Sequence, residues 1–182
     1  MKLERILVDQ DDVLADFQGN FLRIWRERYP KRQFVPIEER KHFMLEKDYA
    51  SEYEPDINEI LSSPGFFRSM PPIEGAIEAV KEIKNKYCEV FICTSPLRVY
   101  QNSIEKYEWV EQYLGPEWIE KIILTKDKTL VRGDILIDDK PIIKGIATPA
   151  WEHILYTQPY NKGLTDRRHL TWKNWKEVLG FK

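Results

Sequence analysis

Apolar residues gather in five short runs, at 5–8, 89–93, 121–124, 135–137 and 153–156, each rich in Ile, Val, Leu or Phe and each followed by polar residues. Runs of this length predict strands buried on both faces, as in a parallel sheet. Between them the spacing becomes helical. Residues 74–86 set Ile77, Val80 and Ile83 on one face with charges opposite, and 104–114 and 172–179 follow the same period. Strands alternating with helices predict an α/β fold with a mostly parallel sheet and right-handed crossovers.

One stretch departs from this rhythm. From Phe17 to Pro72 no buried strand is evident, and helical segments are punctuated by Pro30, Pro36, Pro55, Pro64 and the Pro71-Pro72 pair. This stretch reads as a helical insertion, 17–72, between two parts of a core at 1–16 and 73–182. Asp16 can cap its first helix, which carries Phe21, Leu22, Trp25 and Tyr29 at helical spacing. Residues 160–168 read as an exposed loop, and Thr171 can cap a last helix whose Trp172 and Trp175 belong to the core.

Composition narrows the classes. A chain of 182 residues with 42% apolar side chains can bury a real core. With 28 basic and 30 acidic residues it offers no electrostatic footprint for polymeric nucleic acid or an anionic membrane. Neither a signal-peptide apolar core nor a membrane-length run appears, so a cytoplasmic location is expected. Cys88 and Cys93 flank and end one predicted strand on opposite faces, which favours two reduced, packed thiols over a disulfide. His42, His153 and His169 have no metal-ligand spacing.

The chemistry-bearing residues follow the strands. Asp9, Asp11, Asp12 and Asp16 come after the first, Thr94-Ser95 after the second, Lys126-Asp127-Lys128 after the third and Asp138-Asp139-Lys140 after the fourth. Ligands of open α/β sheets bind beyond the carboxyl ends of the strands, so these clusters converge on one rim. Two like charges about 4 Å apart repel by roughly 4 kcal/mol at an effective dielectric of 20, and a hard divalent cation such as Mg²⁺ relieves this best. With Asp9 and Asp138 as ligands, a phosphate would complete the shell, Lys128 would offset its charge, and Thr94 and Ser95 would donate hydrogen bonds. No glycine-rich phosphate loop or Walker lysine is present, which disfavours ATP hydrolysis by that route. Asp9 and Asp11, two apart on an extended segment, can face one phosphate while Gln10 turns away. One can attack phosphorus, and the other can protonate the leaving oxygen and then activate water.

The segments "VDQDDVLADF", "ICTSP", "ILTKDKT" and "LIDDK" resemble, in order, the four signature motifs of the haloacid dehalogenase (HAD) superfamily. With "PGFF", "EKYEWVEQYLGPEWIEKIILT" and "TPAWEHIL", the chain most resembles the 5'(3')-deoxyribonucleotidases. The resemblance implies a HAD-like Rossmannoid three-layer fold and a Mg²⁺-dependent phosphatase acting on nucleoside monophosphates. Asp9 would be the nucleophile, Asp11 the general acid and base, and Thr94, Ser95 and Lys128 the phosphate holders. The Mg²⁺ ligands would be Asp9, the backbone carbonyl of Asp11, and Asp138, with Asp139 supporting them from behind. The insertion would be a helical cap in which Phe17 and Phe43 form part of the base pocket. Asp12 stands where relatives usually have glycine, and Lys126 where arginine is frequent at the phosphate. Met44 and Leu61 replace tryptophans of the mitochondrial relatives. Dimerisation is common among them, so a homodimer is an option that no surface stripe here marks.

Other readings stay open. A receiver-type signalling domain also uses acids, a Thr or Ser and a Lys on a parallel sheet, but chain order argues against it: here an Asp pair follows the lysine, and about 55 residues intervene after the first strand. A phosphatase-like protein that binds a nucleotide without turnover is another alternative, and a relative acting on a sugar or other organic phosphate is a third.

Overall fold

The computed structural model describes residues 3–96 and 100–181. Among these residues six strands form one parallel sheet: β1 (Arg5–Val8), β2 (Glu89–Thr94), β3 (Ile122–Leu124), β4 (Ile135–Asp138), β5 (Glu152–Tyr156) and β6 (His169–Leu170), in the order β3-β2-β1-β4-β5-β6. Five of them were legible as apolar runs. The sixth, a two-residue edge strand beside β5, is too short to show a period.

Successive residues of each strand enter opposite cores because side chains alternate across a sheet. Ile6, Val8, Ile92 and Ile137 join the larger core, formed with the helices α3 (Ala76–Lys86), α4 (Tyr100–Leu114) and α5 (Trp175–Leu179). Leu7, Cys93 and Leu136 face the other way and are covered by Val131, Ile143 and Trp151 from connecting segments, so the layer on that side is thin. Both cysteines are free thiols, Cys93 buried and Cys88 half-buried. Trp172 and Trp175 are core residues, and the Trp172 indole N–H donates to the Val13 carbonyl at 2.6 Å. Thr171 caps the turn ahead of α5, accepting from Lys173 N, and Asn174 occupies the cap position of the helix itself.

The segment between β1 and α3 holds two helices, α1 (Phe17–Arg28) and α2 (Glu54–Ser62), and three short 3-10 turns. Asp16 caps α1 as expected, accepting from Gly19 N at 2.9 Å. A Cβ at Gly19 would lie 2.0 Å from that carboxylate, so the cap requires glycine there. Trp25 is fully buried with the rings of Tyr29, Tyr49 and Tyr53 around it at 4.9–5.5 Å. The chain leaves and rejoins the core side by side: Asp16 N donates to Pro71 O and Ile73 N to Leu14 O, each at 2.8 Å. Among the described residues no helix is long and apolar enough to cross a membrane.

The exposed loop expected at 160–168 is corrected in its first two residues. Asn161 is fully buried, donating to the carbonyls of Asp139 (2.7 Å) and Tyr156 (2.9 Å), and the Tyr160 hydroxyl donates to Asp139 Oδ2. A polar pair without periodicity gave no sign that it turns inward.

Candidate active site

The strand order reverses at β1, with β2 on one side and β4 on the other, and this is where an open α/β sheet offers a crevice. Val8 pairs with Ile92 and Ile137, so Asp9, Thr94 and Asp138 emerge next to one another. Asp9 N donates to Ile137 O at 2.9 Å, which fixes the start of the loop. Leu14 N and Ala15 N both donate to Gln10 O, folding residues 10–15 into a tight turn, and Gln10 itself is buried away from the rim.

Asp12 turns the corner in the left-handed region, at φ 54°. That backbone explains why glycine suits the position; aspartate is among the few side chains that tolerate it. Its carboxylate accepts from Gln18 N at 2.9 Å, and its carbonyl from Gln158 Nε2 at 2.7 Å. Burial pushes the carboxyl up to about 7.

Two buried lysines divide the acids between them. Lys128 Nζ lies 2.8 Å from Asp9 Oδ1 and 2.5 Å from Asp138 Oδ2. Burial alone would push this ammonium down, but Asp138 and Asp9 reverse the direction and hold it well above its ordinary value. Lys106, from α4, lies 2.7 Å from both oxygens of Asp11 and 3.1 Å from Thr94 Oγ1, with no exposed surface. Burial raises the Asp11 carboxyl, Lys106 opposes the rise, and Asp9 adds to it. Lys106 is absent from the expected site. Its signal lay in the period of α4, where Asn102, Glu105 and Lys106 share the buried stripe of Trp109 and Val110, and polar residues at core positions are rarely idle.

Glu105 beside it accepts from the backbone N–H groups of Gly65 (2.6 Å) and Phe67 (3.0 Å), tying α4 to the segment that returns from α2. The Phe67 ring lies 4.8 Å from Lys106 Nζ.

Oxygens of Asp9, Asp138 and Asp139 lie within 4.8 Å of one another. Three carboxylates are the donor set of a hard divalent cation, and Asp9 Oδ1, although near Lys128, is buried without an aligned hydrogen bond. The residues therefore fit Mg²⁺. Burial raises Asp138 to about 6, against the pull of Lys128, and raises Asp139 well above the carboxylate range, with Asp138 adding to it.

A cavity of about 260 Å³ opens over this group. Asp9, Asp11, Thr94, Ser95 and Lys128 line its floor, and Phe17, Phe43, Met44 and Leu61 line its sides. All of the expected site residues border it, Lys126 and Asp139 included. Ser95 Oγ donates to Thr125 O at 2.9 Å, and the exposed Lys126 ammonium rests on the Pro96 carbonyl. Phe17 packs edge-on against Phe66 at 5.4 Å, and Phe43 has the Lys140 ammonium 5.5 Å from its ring, so both aromatics combine packing with a wall of the cavity.

Comparison with known proteins bears on what the cavity takes. A family model described as "5' nucleotidase, deoxy (Pyrimidine), cytosolic type C protein" matches residues 3–181. The human 5'(3')-deoxyribonucleotidase of cytosolic type is 48% identical over 190 residues, covering 98% of this chain and 94% of its own. Among solved structures, a HAD family hydrolase from Deinococcus radiodurans R1, with bound phosphate and sodium, superposes with a TM-score of 0.62 at 16% identity, over 98% of this chain and 95% of that one. A HAD-hydrolase from Bacillus subtilis bound to magnesium gives 0.60 at 12% identity, over all of both chains. At those identities the two structures speak for the fold alone.

Proposed function

Because the chain belongs to the cytosolic type C 5'-deoxynucleotidase family, phosphoric monoester hydrolases of the HAD fold, we propose that it hydrolyses (deoxy)ribonucleoside monophosphates through an aspartyl-phosphate on Asp9. The observation that carries this reading is the division of two acids, two positions apart, between two lysines. Asp9 sits with Lys128 and Asp138, whereas Asp11 sits with Lys106 and Thr94. A nucleophile must stay ionised and a general acid must hold a proton, so the pair needs different surroundings.

In the first step an Asp9 oxygen attacks phosphorus, the bond to the nucleoside oxygen breaks, and Asp11 delivers its proton to that oxygen. In the second, Asp11 takes a proton from water, the hydroxide attacks the same phosphorus, and Asp9 is released with inorganic phosphate. Lys106, Lys128, Thr94 and Ser95 neutralise and hold the phosphoryl oxygens. Asp9, Asp138 and the Asp11 carbonyl would hold Mg²⁺, with Asp139 supporting them from behind, and the bound ion would offset the charge repulsion between the phosphate and the nucleophile. Segment 17–72 acts as the cap, and Phe17 and Phe43 offer faces on which a base can stack. A cytoplasmic location matches the human relative of cytosolic type, which at 48% identity stands slightly nearer than the human mitochondrial one at 45%.

The test is phosphate release, with Mg²⁺, from 5' and 3' ribo- and deoxyribonucleoside monophosphates and from sugar phosphates, beside Asp9→Asn. Deoxynucleotide turnover that vanishes in the variant supports the proposal. Turnover of sugar phosphates alone overturns the substrate, and full activity of Asp9→Asn overturns the nucleophile.

A further inference from the structure

Tyr160 lies outside the catalytic set, yet it joins the cap segment to the acidic group. Its hydroxyl donates to Asp139 Oδ2, and its ring meets Phe43 edge-on at 6.0 Å. The Arg40 guanidinium lies 5.5 Å from the same ring. Arg40 is itself immobilised, donating to Asp48 Oδ2 (2.6 Å), Gln18 Oε1 (3.0 Å) and the His42 carbonyl (2.7 Å) in a buried ion pair. The backbone is fixed from the other side. Asn161 donates to the Asp139 carbonyl and accepts from Gln158 N at 2.8 Å. The ring is thus trapped between two fixed neighbours, and its hydroxyl is aimed at a carboxylate that is 2% exposed.

A buried carboxylate among other acids tends to rotate away from them. One donor on one oxygen counters this, because it fixes the rotation. A phenol does this without adding charge, where a lysine would compete with the cation. We propose that Tyr160 is a positioning residue for the divalent cation, holding Asp139 in the orientation in which it serves the group with Asp9 and Asp138. This rests on the reading of that group as the Mg²⁺ site. Partners that orient metal-binding carboxylates typically change metal affinity by 10–100-fold when removed.

The experiment titrates Mn²⁺ into the protein and reads free ion by electron paramagnetic resonance, for wild type and Tyr160→Phe, which deletes one oxygen and keeps the ring contacts. Tyr160→Met serves as a second variant lacking the hydroxyl should Phe perturb the fold. Mn²⁺ binding should weaken about tenfold. In turnover the half-saturating Mg²⁺ concentration should rise, while at saturating Mg²⁺ the KM for nucleotide stays at the wild-type value. Loss of kcat at every Mg²⁺ concentration with unaltered Mn²⁺ binding would mark a merely structural role and overturn the proposal. Wild type that binds no Mn²⁺ would overturn the underlying metal reading as well; wild-type binding matched by a folded Tyr160 variant would overturn this inference alone.

Discussion

Replacing Lys106 by methionine isolates what the second lysine does. At 2.7 Å from each Asp11 oxygen the ammonium attracts the carboxylate by about 6 kcal/mol at an effective dielectric of 20. Removing one member of a buried pair usually costs about 3–5 kcal/mol. The Asp11 side chain keeps 25% of its surface, so water and a proton soften the loss to about 2–3 kcal/mol. For a chain of this size that lowers Tm by about 5–10 °C. The kinetic effect has a direction as well as a size. Lys106 is the strongest influence holding Asp11 down against burial, so without it the carboxyl rises further and stays protonated to higher pH. The alkaline limb of the kcat/KM profile, which reports loss of the general acid, should therefore move upward. The maximum should fall by about 10²–10³, the usual loss for one donor to a transition-state oxyanion. Initial rates of phosphate release between pH 4 and 9, with melting curves in the same buffers, read all three quantities. A wild-type maximum, or a limb that moves to lower pH, would refute this account of Lys106.

Three further outcomes are expected. Asp12→Gly loses the hydrogen bond to Gln18 N but relieves a left-handed backbone, so at pH 5 stability should change by less than about 1 kcal/mol. Because the folded Asp12 holds its proton to about 7 and the unfolded one releases it near 4, the wild type loses stability as pH rises through that window. The variant should lack this part of the slope and be more stable at pH 8, by on the order of 2–4 kcal/mol, as urea titrations at the two pH values will show. Dialysis against EDTA should abolish turnover, with Mg²⁺ restoring it and Ca²⁺, whose coordination is looser and higher, failing to. Phe43→Ala should raise the KM for nucleotides by about 5–100-fold while hydrolysis of a phosphate monoester without a base changes little, which initial rates on both substrates will test.

The parts of this fold that were legible in the sequence are those set by repetition. Strands buried on both faces must be apolar at consecutive positions, so β1, β2, β4 and β5 announce themselves, and the acids and hydroxyls beyond their ends mark the rim. Asp16 was legible as a cap because its acceptor needs only local backbone. β6 was not, because two residues carry no period, and the inward turn of Tyr160 and Asn161 was hidden because both pair with Asp139, 21 and 22 positions away.

Lys106 is the more instructive omission. Residues arranged by strand order reveal a site built on strand ends, but α4 approaches that site from the side, and only its buried stripe records the fact. Asn102, Glu105 and Lys106 stand where a helix facing a core should carry apolar side chains, and each finds a partner far away in sequence: Leu61 O, the 65–68 turn, and Asp11 with Thr94. Neighbouring residues on one helix thereby grip the segment that returns from α2 and the Asp11 carboxylate. A displacement of α4 would disturb both, so the returning segment and Asp11 are mechanically coupled, whereas Asp9, held by Lys128 and the Ile137 carbonyl, is anchored separately.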